Sequence, residues 1–195
     1  HCSTPFVIDL VPDPKTGIGE TAIHENYTQG KTLSDYKPFD QAYEDMKARF
    51  ESFYGGYPPV ALQYNDMARI AAWLIWQNRI GPRGELKNTV VYMHKLFMFR
   101  AYGWHHCFHA MAMKNNVNEA WKMLMAMFEY QDKWGGIPDN ISDMNQYTWV
   151  STKPPLFGYA VCYILDHFNT SALSWEDFGQ FYHKLCRYAD WWFIF

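Results

Sequence analysis

The stretch SWEDFGQFYHKLCRYADWW, Ser174 to Trp192, decides the fold class. Ser174 followed three residues later by Asp177 is a capping box, the polar signal that starts a helix. Phe178, Phe181, Tyr182, Leu185, Tyr188, Ala189 and Trp192 then recur at helical spacing and make one apolar stripe. The sequence stays apolar to Phe195 with nothing polar to close the helix, which reads as a truncation.

The same period returns upstream. Pro154-Pro155 opens a helix to about Phe168, and a further helix is expected from about Asn118 to Asp132. In the latter Trp121, Leu124, Met125 and Phe128 form the stripe, and Met123 and Met127 widen it. Another helix is expected over Trp104 to Lys114. From Val60 to Asn78, Leu62, Met67, Ile70, Ala71 and Leu74 face one way while Trp73, Trp76 and Ile80 face another. That breadth predicts a helix buried on two sides. Phe39, Tyr43, Met46, Phe50 and Phe53 mark an earlier helix that Gly55-Gly56 stops. Residues 1–34 read as irregular, with one strand-like piece around Phe6 to Val11. Strand alternation does not recur after them, so the expected architecture is all-α, built of antiparallel hairpins from residue 35 to 195.

Composition narrows the function. At 195 residues the chain suits one domain, and 49% apolar with 19% aromatic content excludes disorder. The net charge is -3 and the basic residues form no run, which argues against nucleic acid as a partner. No apolar stretch is long enough to span a bilayer, so no membrane partner is expected. Cys2, Cys107, Cys162 and Cys186 show no CxxC spacing, and Cys162 and Cys186 read as buried thiols. That favours a reducing compartment such as the cytoplasm, although the missing initial methionine leaves secretion open. Asn26-Tyr27-Thr28, Asn140-Ile141-Ser142 and Asn169-Thr170-Ser171 fit the glycosylation triplet, a pattern frequent by chance. The loop from Gly135 to Lys153 is long and polar, and loops of that length are often functional.

Four segments together resemble glycoside hydrolase family 63, including its mannosylglycerate-hydrolase-like members. They are Gly81-Pro82-Arg83-Gly84 with Val90-Val91-Tyr92-Met93 and Lys95; Gly103-Trp104-His105-His106-Cys107-Phe108-His109-Ala110; Gly136-Ile137-Pro138-Asp139 with Lys153-Pro154-Pro155; and Tyr188-Ala189-Asp190-Trp191-Trp192. The resemblance implies an (α/α)6 toroid of helical hairpins, of which this chain would be the first part. Residues 1–34 would then be a linker or the tail of a preceding β-domain. It also implies inverting hydrolysis of α-glycosidic bonds in a small saccharide or glycoside, with no cofactor. By the same resemblance Arg100, Trp104, Asp139, Trp149 and Lys153 approach the sugar.

One departure matters. The family's acid is an aspartate directly after the tryptophan, and His105 stands there. Inversion needs one carboxylic acid to protonate the leaving oxygen and one carboxylate to activate water. A protonated histidine would repel the cationic transition state, and with a pKa near ~6.5 it is mostly neutral at pH 7. The base-bearing half of the family's toroid is also absent. The expectation is therefore a hydrolase-like chain without activity, with a non-catalytic sugar-binding or degenerate family member as the alternative. A third reading is a metal-dependent enzyme in which His105 and His109, four apart on a helix, bind one ion with His94, His106 or Cys107. Against it stands a plain set of polar residues lining a cleft, without HExxH or paired carboxylates. Trp104 and Trp149 could equally be core, Asp139 a turn cap, and Lys153 and Arg100 solvated. Self-association through the uncovered apolar face is expected as well.

Overall fold

The computed structural model describes residues 12–19, 21, 33–94, 98–144, 147–149 and 153–194. The strand-like piece at Phe6 to Val11, Cys2, the Asn26 triplet, Lys95 and Phe195 lie outside them. The chain forms two compact units, His1–Arg49 and Phe50–Phe195. In the first, Asp13 caps a turn by accepting from the amides of Lys15 at 2.7 Å and Thr16 at 3.2 Å. Helix α1, Phe39–Tyr54, begins in this unit, where Lys37 pairs with Asp45.

The second unit carries α2 (Asn65–Gln77), α3 (Gly103–Ala112), α4 (Val117–Met125), α5 (Phe157–His167) and α6 (Trp175–Ile194). Strands are two residues long: β1 (Arg79–Ile80) pairs antiparallel with β2 (Val90–Val91), and β3 (Ala101–Tyr102) with β4 (Asn140–Ile141). The class is all-α, as the periodicity indicates. The capping box read from Ser174 and Asp177 forms. The amide of Asp177 donates to Ser174 Oγ at 3.2 Å and that of Ser174 to Asp177 Oδ2 at 2.8 Å, the reciprocal box that starts α6. Asn116 caps α4 by accepting from the Glu119 amide.

The core is aromatic. Helix α3 packs against both α4 and α5, and Phe128, in the 3-10 turn after α4, meets Phe157, Phe181 and Tyr188 with ring centroids 4.8, 5.6 and 6.1 Å apart. Trp121 lies edge-on to Phe178 at 5.1 Å. Two glycines hold the long loop against its supports. Gly135, at φ 104°, has no room for a Cβ, which would fall 2.1 Å from the Arg187 carbonyl of α6. Gly84, at φ 52°, would put one 2.2 Å from the carbonyl of Asp143. Arg83 pairs with Asp143 at 2.7 Å, and the Tyr92 hydroxyl donates to the same carboxylate at 2.6 Å.

Four expectations need correction. Helix α2 is not buried on two sides: Ala72 is its one buried residue, while Met67, Ile70 and Leu74 are exposed, since the described residues leave that face uncovered. Cys162 is exposed and Cys186 half-buried; only Cys107 of the described cysteines is buried, since Cys162 faces outward from α5. On α6, Tyr182 and Trp192 are exposed and the buried pair is Phe181 and Tyr188. The loop after Gly135, polar in composition, is buried from Gly135 to Ser142, with its polar groups taken up by hydrogen bonds and the β4 pairing.

Candidate functional site

Strand β3 runs directly into α3, so its pairing with β4 brings the long loop to the start of that helix. Tyr102 opposes Asn140 across the pair, which puts Asp139, one residue earlier, near His105. Asp139 is only 5% exposed, and Lys153 Nζ stands 3.1 Å from its Oδ1. That ammonium also lies over the Tyr102 ring, 5.5 Å from the centroid. His105 sits between Tyr102 and Trp104, with ring centroids 5.8 and 5.2 Å away. Burial holds its pKa below the ordinary histidine value, and the Lys153 charge lowers it further, while Asp139 pulls the other way.

A second web backs the first. Arg100 Nη1 donates to Asn140 Oδ1 at 3.3 Å and to Thr148 Oγ1 at 3.0 Å, and the Asn140 amide donates to Asp139 Oδ2 at 2.9 Å. The backbone repeats the link, since the Asp139 amide donates to the Thr148 carbonyl at 2.7 Å. Trp104 Nε1 and His105 Nδ1 are buried polar atoms without a hydrogen-bond partner among the described residues. Asp139 Oδ1 has its ion pair in distance, yet no donor in line for a hydrogen bond.

Of the residues singled out in the sequence, Arg100, Trp104, His105, Asp139 and Lys153 gather here. Trp149 is 47% exposed and makes no ring contact with the cluster among the described residues. Lys153 is an ion-pair partner rather than a solvated lysine. Tyr102, Asn140 and Thr148 escaped sequence reading, because only the β3–β4 pairing brings them in. Asn140 is itself buried, so the Asn140-Ile141-Ser142 triplet is not an open glycosylation acceptor in the folded chain.

The other histidines of α3 have different duties. His106 is fully buried; its Nε2 accepts from the Val91 amide at 3.1 Å, so Nδ1 carries the hydrogen and donates to the Met123 carbonyl at 3.2 Å. Burial pushes its pKa down to about 4, and a second proton would also cost the bond from Val91. His109 is pushed down to about 3 by burial and by the neighbouring histidines. Burial raises the Cys107 thiol to about 12, so it is not a ready thiolate. With both His106 nitrogens spent, the donor set drawn from α3 shrinks, and among the described residues no three His, Cys, Asp or Glu gather into a metal site.

Two hollows lie elsewhere. A cavity of about 710 Å³ opens between α5 and α6, lined by Val161, Leu165, Leu173, Phe178 and Leu185, and a smaller one of about 460 Å³ lies by Arg69 and Trp73. Neither touches the cluster. The cluster is the better site because it concentrates charge and unsatisfied polar atoms, whereas the larger cavity offers almost only apolar wall. No protein-family profile matches this chain, and no curated protein matches it in sequence. Among the described residues no helix is long and apolar enough to cross a membrane.

Proposed function

We propose that this domain is a saccharide-binding relative of the family 63 glycoside hydrolases, that its helical hairpins are part of an (α/α)6 toroid, and that it binds α-glycosides around His105, Asp139 and Lys153 without turning them over. The observation that carries this is the Asp139–Lys153 pair beside His105, which brings together two of the segments that carry the family resemblance. A buried carboxylate, an ammonium and the flat faces of Tyr102 and Trp104 suit a ring that carries hydroxyl groups. Hydrolysis is not expected. With its pKa held below the ordinary value, His105 is a neutral imidazole at pH 7 and has no proton to give the leaving oxygen.

The test follows NMR signals of the Trp104 indole and the His105 ring while methyl α-glucoside or methyl α-mannoside is added. Binding should shift both, and Asp139→Asn should weaken it by about tenfold or more, the scale of a lost hydrogen bond to a charged group. Turnover should stay at background for the wild type, and His105→Asp alone should add none, since inversion also needs an opposed base. Binding untouched by Asp139→Asn, or clear hydrolysis by the His105 form, would overturn the proposal.

A further inference from the structure

The cavity of about 710 Å³ between α5 and α6 is built without charge: no side chain that lines it is Asp, Glu, Lys, Arg or His. Phe181 is buried at its wall, and Val161, Phe178 and Leu185 are half-buried there. The Tyr182 hydroxyl, one of its few polar groups, is already bonded to the Cys186 thiol. Gly158 completes the wall, near the start of α5, and glycine within a helix is less stable than alanine. Nothing local calls for it. Its φ is not positive, and a Cβ would meet only Leu185 Cδ2, at an ordinary 3.8 Å. Backbone and packing both admit a side chain at this position, and its absence leaves the hollow open.

We propose that this cavity binds one uncharged, largely apolar small molecule, and that Gly158 keeps it open. Its volume falls within the range of about 300 to 1,000 Å³ that small-molecule sites occupy. The wall holds no partner for a carboxylate or an ammonium, and burying an unpaired charge is costly, so the ligand is neutral. A saccharide does not fit, because most of its hydroxyls would lose water and find no partner. The accessible wall is also several times smaller than the about 800 Å² that one partner gives to a stable interface. That favours a small molecule over a second copy of this chain. Thr170 can serve one hydroxyl or carbonyl of the ligand. The site is separate from the His105 cluster and does not depend on the saccharide reading.

The experiment titrates the full chain with N-phenylnaphthylamine, an uncharged fluorophore that brightens on leaving water. One probe per chain should bind saturably. Gly158→Leu and Cys162→Trp each put a larger side chain into the cavity and should weaken binding by about tenfold or more. Gly158→Leu should also melt at or above the wild-type midpoint, since it replaces a helical glycine. Cys162 is exposed, so Cys162→Trp disturbs no core and serves if the other variant folds poorly. Ile70→Ser removes an exposed apolar side chain of α2 and should leave affinity unchanged. As a second readout, bound probe should slow alkylation of Cys162 by iodoacetamide, followed by mass spectrometry. Unsaturable binding, wild-type affinity in both filled variants, or an equal loss in Ile70→Ser overturns the proposal. So does a dimer in sedimentation that Cys162→Trp converts to monomer, which would make this face an interface between copies.

Discussion

Helices α2 and α4 read alike along the chain, each apolar over more than one stripe, and they meet opposite environments. In α4, Val117, Ala120, Trp121, Met123 and Leu124 are all buried; in α2 only Ala72 is. Helix α4 has α3 on one side, and Trp121 meets Phe178 and Phe181 of α6 on another. Helix α2 sets Trp73 and Trp76 against Phe50 of α1, with ring centroids 5.1 and 5.7 Å away, and leaves Met67, Ile70 and Leu74 uncovered. The width of an apolar face states how much surface would gain from cover. It does not state whether the same chain supplies that cover.

The largest expected effect compares one residue type across the two helices. Leu124 is 0% exposed and Leu74 51%. Leu124→Ala should cost about 3 kcal/mol, as a cavity opens among α3 and α4 side chains. Leu74→Ala should change stability by less than about 0.5 kcal/mol, because little burial is lost and alanine is the better helix former. Urea midpoints measure both. Equal losses would mean that α2 is covered in solution, and the contrast drawn here would fail.

Acid should separate the regions next. His106 and His109 lie in α3, against α4, and both have folded pKa values below their unfolded ones. The unfolded chain therefore binds more protons as pH falls below about 6.5, and their contribution, complete above that value, declines toward their folded values near 4 and 3. For His106 alone the loss should reach about 2 kcal/mol by pH 5. Denaturation followed from pH 7.5 to pH 5 should show it, and His106→Gln should flatten the slope even if its baseline is lower. A slope unchanged in His106→Gln would reject His106 as its source.

The smallest effect concerns the helix starts. Asn116 caps α4 with a side-chain bond, whereas the residue before α2, Tyr64, makes none. Asn116→Ala should cost about 1 kcal/mol. Tyr64→Ala has no cap to lose and should shift the thermal midpoint less than Asn116→Ala does. A larger shift at Tyr64 would reverse the ranking of the two helix starts.

Much of the candidate site was legible because its residues are chemically conspicuous. A histidine after Gly103-Trp104, an aspartate after Ile137-Pro138 and a lysine before Pro154-Pro155 each mark a segment that resembles a known pattern. What these side chains do was less legible. Arg100, expected near the sugar, bonds Asn140 and Thr148, and Lys153, whose default is solvation, stands against a buried carboxylate. Asn140 was visible only as part of a glycosylation triplet. Short strands of two residues carry too little alternation to be recognised, so the pairing that gathers the site left no periodic trace.

The sequence by itself determined the helices, the capping box of α6 and the all-α class, because period and capping are local properties of a few neighbouring residues. It also placed an imidazole, His105, directly after Trp104 in the first turn of α3. Tertiary structure alone decided which apolar faces find partners, as Leu124 and Leu74 show. It also decided which of three histidines in one helix is a hydrogen-bonded core residue and which lies beside an ion pair. The reason is physical: burial and charge act through space, and the groups that set the state of His105 come from Asp139 and Lys153, more than thirty residues along the chain.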